Sequence, residues 1–181
     1  MIFTPTSLEG SYVIDPQPFG DARGWFARTY SKDEFRQIGH VKEWVQLNHS
    51  ASFEKGTLRG MHFQYPPHQE IKMVRCIAGE IYDVLIDIRR DSPTFLKWLG
   101  VRLSAENRRM LYIPEGFAHG FQCLSGNCEL IYHHTGFYTP SAEGGIRYDD
   151  PAIGIEWPLP VAGLSERDAH HPFLSENFKG I

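Results

Sequence analysis

Cysteine is scarce in this chain, and Cys76, Cys123 and Cys128 stand at spacings that suit neither a disulfide framework nor a zinc site. All three are expected as reduced thiols. Positive charge is also short, since 18 Lys and Arg face 22 Asp and Glu, and a formal net charge of -4 argues against a nucleic-acid surface. An anionic ligand must therefore meet a local basic pocket. No run approaches the ~20 apolar residues of a membrane span, and the N-terminus lacks a basic stretch followed by an apolar one. A cytoplasmic location with no membrane partner is the expectation. Helical periodicity is nearly absent, as are internal repeats and low-complexity tracts.

What the chain does have is a succession of short alternating runs between turn residues, at 10–14, 24–30, 41–49, 57–64, 72–78, 80–89, 94–103, 109–113, 118–124 and 128–135. Short strands at such spacing predict an all-β sandwich or barrel. The length of 181 residues suits one domain, 1–181, with a true buried core. From 136 onward periodicity gives way to Pro, Gly and acidic residues, so 136–181 is expected to wrap the barrel as ordered loops. One helix is predicted at 32–37, where Ser31 and Glu34 have the spacing of a capping box. Hairpins are predicted at Ala78-Gly79 and at Ser125-Gly126-Asn127.

Two segments stand out chemically. In 80–89, Ile81, Asp83, Leu85 and Asp87 share one strand face while Tyr82, Val84, Ile86 and Ile88 share the other. A face with two carboxylates is either exposed or an interior in which both are hydrogen-bonded. In 58–64, Leu-Arg-Gly-Met-His-Phe-Gln, alternation sends Gly60 and His62 to one face and Arg59 and Met61 to the other, with the glycine leaving room for a ligand. Taken alone, His62 reads as readily as a hydrogen-bonded core histidine.

The Pro-x-Gly-x-x-His spacing of Pro114, Gly116 and His119 resembles the second motif of the cupin superfamily, whose barrels often hold a metal on a His-x-His pair and a glutamate. Here His62-Phe63-Gln64 supplies a single histidine, so no metal is expected. A much longer ordered set looks like the dTDP-4-dehydrorhamnose 3,5-epimerase family: 19–24, 46–50, 58–64, 72–76, 79–89, 91–94, 103–107, 113–121, 143–146, 149–151, 154–158 and 164–168. The resemblance covers nearly the whole chain. It implies a cupin-type jelly-roll barrel, a homodimer, and no metal or organic cofactor.

The substrate it implies is a nucleotide-diphosphate 4-keto-6-deoxyhexose, whose ketone acidifies the hydrogens on both neighbouring carbons. Inversion then needs a base on one face of the sugar, an acid on the other, and a cation at the oxygen where enolate charge develops. By resemblance, His62 is the base with Asp168 behind it, Tyr132 the acid, and Lys72, with Arg59, the enolate's cation. Arg23, Arg59 and Arg167 suit a pyrophosphate. Phe26 suits the nucleobase, Gln46 and Asn48 the nucleotide-sugar, and His119, Tyr138 and Glu143 the sugar or phosphates. Arg23 and Phe26 are implied to serve the partner subunit's site.

The chain departs from the family at Arg28, commonly glutamate, at Leu47, frequently aspartate, and at His133-His134, where a lysine is usual after the acid. These positions bear on the nucleotide bound and the placement of the ring. Beside double inversion on the route to dTDP-L-rhamnose stand inversion at C3 or C5 alone on a dTDP- or CDP-linked sugar, and a non-catalytic sugar-nucleotide-binding cupin. A metal-dependent cupin enzyme is a further alternative.

Overall fold

The computed structural model describes residues 1–181. Thirteen strands follow one another along the chain: β1 (Ile2–Pro5), β2 (Tyr12–Asp15), β3 (Phe19–Asp21), β4 (Gly24–Phe26), β5 (Gln46–Ser52), β6 (Leu58–Gln64), β7 (Lys72–Ala78), β8 (Glu80–Asp87), β9 (Trp98–Ser104), β10 (Met110–Ile113), β11 (Phe117–Cys123), β12 (Cys128–His134) and β13 (Glu143–Gly145). They form a six-stranded sheet, β1-β2-β10-β7-β12-β5, and a five-stranded sheet, β13-β6-β11-β8-β9, with β3 and β4 paired apart from both. This is the expected all-β, cupin-type jelly roll.

Burial explains why strand patterning is so clear here. Val74, Leu85, Leu111, Phe121 and Leu130 meet between the two main sheets, each almost wholly buried. Behind the five-stranded sheet, Met61, Val84, Ile86 and Ile88 are covered by Ile146 and Ile153, with Trp157 and Phe178 beside them. Behind the six-stranded sheet, Phe35 closes over Ile14, Met73 and Met110. Strand β8 is therefore buried on both faces, and truncation at one such site, Leu85→Ala, costs about 2–5 kcal/mol.

The two-carboxylate face of β8 lies inside. Asp83 meets His119, and Asp87 accepts from Arg89 (2.7 Å), Ser92 (2.6 Å) and Thr94 (2.6 Å). Burial pushes the Asp87 carboxyl upward, but those donors outweigh it and bring the pKa down to about 2.

Both predicted hairpins are instead corners. β7 and β8 lie in different sheets, as do β11 and β12, so Ala78-Gly79 and Ser125-Gly126-Asn127 carry the chain across the sandwich. The two corners pack on each other: a Cβ on Gly79, whose φ is +72°, would lie 2.6 Å from Ser125 Oγ. Turn residues announce a reversal, yet local sequence does not say whether the next strand joins the same sheet. The helix expected at 32–37 is a short α1 (Lys32–Phe35) running into a 3-10 turn, Arg36–Ile38. Its capping box does not form, because the Ser31 side chain makes no cap bond and Glu34 instead accepts from Arg28 at 2.9 Å. In the C-terminal segment, β13 pairs with β6, and α2 (Glu166–Ala169) is capped by Ser165, which accepts from the Asp168 N–H at 3.1 Å.

Candidate active site

Strand β6 does not keep simple alternation. Its ladder with β11 pairs His62 with His119 and Arg59 with Phe121, so two residues of β6 lie opposite one of β11, a bulge. Arg59 and His62 consequently line the same cavity, which corrects the prediction that they face opposite ways. Gly60 serves this bulge rather than making room for a ligand. Its φ is +124°, and a Cβ there would lie 2.5 Å from the Gly120 Cα.

His62 Nε2 is 2.8 Å from Asp168 Oδ1, and the other Asp168 oxygen accepts the Gly60 N–H at 3.1 Å. The carboxylate thus ties the imidazole to the bulge that aims it. Burial raises the Asp168 pKa, but the hydrogen bond from His62, together with the Gly60 N–H and Arg167, holds it well below the usual carboxylate range. Arg167 lies 3.2 Å from His62 Nε2 and donates to Glu143 at 2.9 Å, which in turn accepts from the Tyr138 hydroxyl at 3.0 Å. His171 completes this flank, its Nε2 3.6 Å from Asp168 Oδ1. No motif points to it. The ligand atoms of His62, Asp168 and His171 lie within 4.8 Å of one another, but the Arg167 guanidinium already places a cation of the chain's own against them.

The opposite wall comes from the six-stranded sheet. Tyr132 on β12 is held by Ser50 on β5, oxygen to oxygen at 3.1 Å, and burial pushes its pKa above that of an ordinary phenol. Lys72 opens β7 beside it, 3.3 Å from Glu70. Glu70 is not among the residues the sequence singles out, although it shares the parity of Lys72. His134, two residues after Tyr132 and so on the same face, reaches the other Glu70 oxygen at 2.8 Å, while His133 turns outward against Trp44. Gln46 and Asn48 project inward from β5, and Leu47 between them is 61% exposed on the outer face. Two adjoining cavities of about 410 and 250 Å³ result, sharing Asn48, His62, Lys72 and His134. His119, fixed by Asp83 at 2.7 Å, and Arg59, which donates to Ser52 and to the Ala51 carbonyl, line the smaller one.

Arg23 and Phe26 are not brought to this cavity. They stand on the β3–β4 hairpin, where the Arg23 side chain is 90% exposed and pairs with Asp21, and Phe26 is 73% exposed. Arg28 likewise faces Glu34 rather than the cavity.

Comparison with known proteins agrees with this architecture. The family model for dTDP-4-dehydrorhamnose 3,5-epimerase matches residues 5–176. The dTDP-4-dehydrorhamnose 3,5-epimerase of Salmonella typhimurium is 48% identical over 178 residues, 97% of either chain. The solved structure of the Elizabethkingia anophelis dTDP-4-dehydrorhamnose 3,5-epimerase superposes with a TM-score of 0.94 at 38% identity, covering 98% of each chain. That of the Legionella pneumophila 3,5-epimerase, in complex with dTDP-4-keto-L-rhamnose, does so at 0.90 and 40% identity, over 95% of this chain and 92% of that one. With strands, cavity and sequence in register over almost their whole length, the chain belongs to the dTDP-4-dehydrorhamnose 3,5-epimerase family.

Proposed function

We propose that this chain inverts C3 and C5 of dTDP-4-dehydro-6-deoxy-D-glucose by proton transfer, giving dTDP-4-dehydro-L-rhamnose. One observation carries the reading: an imidazole backed by a buried carboxylate and a protonated phenol line one cavity from opposing sheets, and the Lys72 side chain lines it too. Asp168 fixes a proton on His62 Nε2 and leaves Nδ1 to take the hydrogen from the carbon beside the ketone. Charge moving onto the ketone oxygen meets Lys72 Nζ. Tyr132 returns a proton to the opposite face of that carbon, which inverts it, and solvent resets both groups before the second carbon reacts. Arg167 and Arg59 flank His62 where a pyrophosphate would follow the sugar, and Gln46, Asn48, His119, Tyr138 and Glu143 supply donors and acceptors around the ring.

Incubation with dTDP-4-keto-6-deoxyglucose in deuterated water, followed by NMR, tests this. Exchange at both C3 and C5 is expected; exchange at one carbon would restrict the activity to a single centre, and none would leave a binding protein.

The exposed hairpin carries the second part of the reading. Phe19 and Phe26 are 78% and 73% exposed side by side on this hairpin, and Arg23 pairs only with Asp21 of its own turn. In a homodimer this hairpin enters the other subunit's cavity, Phe26 against the nucleobase and Arg23 on the pyrophosphate. Inactive Arg23→Ala and His62→Ala chains, mixed and reassociated, should then regain about a quarter of the wild-type sites, since each mixed dimer holds one intact set. No recovery would confine each site to one chain. Three buried free cysteines, with Cys76 and Cys123 pushed up to about 12 by burial, suit a reducing cytoplasm as this enzyme's compartment.

A further inference from the structure

On the Tyr132 wall, a line of hydrogen bonds converges on Glu70 from both ends, through three strands and two loops. The Tyr138 N–H donates to Gln46 Oε1 at 3.3 Å, Gln46 Nε2 donates to Asn48 Oδ1 at 3.1 Å, and Asn48 Nδ2 lies 3.3 Å from His134 Nε2. Because Gln46 takes the Asn48 oxygen, the amide nitrogen is what faces His134, so Nε2 accepts and the ring's proton sits on Nδ1. From there it is donated to Glu70 Oε2 at 2.8 Å, and Glu70 Oε1 receives Lys72 Nζ at 3.3 Å. Glu70 is 9% exposed and His134 11%, so neither has water enough to replace the other. With both partners in place Glu70 stays ionised, its pKa below the ordinary value although burial pulls the other way.

We propose that His134 is a positioning residue for Lys72, acting through Glu70, and that it links the loop bearing Tyr138 to the cation at the enolate oxygen. The inference rests on the reading of Lys72 given above. Without the Nδ1 donor, Glu70 is a half-paired buried carboxylate and closes on the ammonium group, drawing it off the cavity. The loss would be felt as charge develops, in kcat, and hardly in substrate binding.

Four variants decide it: His134→Leu, which removes the donor; His134→Asn, whose amide can place an N–H near the position of Nδ1; Glu70→Gln; and Lys72→Met as a control. His134→Leu should lower kcat by about ten- to a hundredfold with little change in KM. His134→Asn should recover much of that loss, and in the Glu70→Gln background the His134→Leu change should cost little more. A His134→Leu enzyme with wild-type kcat, or one that His134→Asn matches in damage while KM rises, overturns the proposal. If Lys72→Met alone keeps wild-type kcat, the role of Lys72 fails first and the inference falls with it; if Lys72→Met is crippled and His134→Leu is not, only the inference falls.

Discussion

On the β6 wall of the cavity, His62 leans on a carboxylate held ionised by its donors, whereas on the β12 wall the partly buried Tyr132 meets only the Ser50 hydroxyl, and desolvation outweighs that hydrogen bond to keep the phenol protonated. Both walls offer a hydrogen-bonding group to the same space. Their backgrounds differ: ionised Asp168 stabilises positive charge on the imidazole and favours proton uptake, while the absence of a strong donor set around Tyr132 leaves burial to disfavour the phenolate. A single polar pocket thus acquires one side that takes protons and one that gives them up only to a stronger base, as an enolate carbon is.

The most severe way to break this asymmetry is to remove the accepting side. His62→Ala should lower deuterium exchange at both C3 and C5 by about a thousandfold or more, because His119, the other imidazole that lines the cavity from that sheet, is tied to buried Asp83. Exchange persisting at either carbon would show a second base. Removing the donating side is gentler on hydrogen loss. Tyr132→Phe should leave washout of substrate hydrogen largely intact while epimer formation falls by about a hundredfold, so the two rates, equal in their response for a purely structural defect, separate. Parallel losses in both would mean that the walls do not divide the labour.

How much of this is legible in the sequence depends on whether a feature is local. Strands are legible because alternation and turn residues are local, and so are His62, Lys72, Tyr132 and Asp168 once their order along the chain resembles a known family. Sheet membership is not. Gly79 and Asn127 mark corners with the same residue types that mark hairpins, and only the packing of one corner on the other distinguishes them. The parity of Arg59 misleads because the bulge at Gly60 depends on Gly120, sixty residues away in the chain. Glu34 goes to Arg28 instead of a cap, a choice set by tertiary contacts. His134 carries a usable signal, since it lies two residues from Tyr132 on the same strand face, while Glu70, in the loop just before β7, is signalled only by its nearness to Lys72. His171 carries none, lying in a loop where no periodicity applies.

The smallest expected effect tests the origin of the β6 wall's charge. Asp168 has a lower pKa folded than unfolded, so its contribution to stability is complete above the unfolded value, roughly pH 4, and disappears as the pH falls through the folded one. The amide of an Asp168→Asn variant does not titrate. At neutral pH the variant should melt a few degrees below the wild type, reflecting about 2 kcal/mol for a buried hydrogen-bonded charge left without its counterpart. Thermal unfolding from about pH 7 to 3 should then show the two curves converging, since acid removes from the wild type what the substitution has already removed. Both keep a residual acid slope, because Asp87 and Glu70 are also held low by their donors. A gap that stays constant across that range would mean Asp168 contributes shape rather than charge, and the proton-accepting bias of His62 would have to come from Arg167 and the cavity alone. Such a source is physically unfavourable, as a neighbouring guanidinium opposes a positive imidazole.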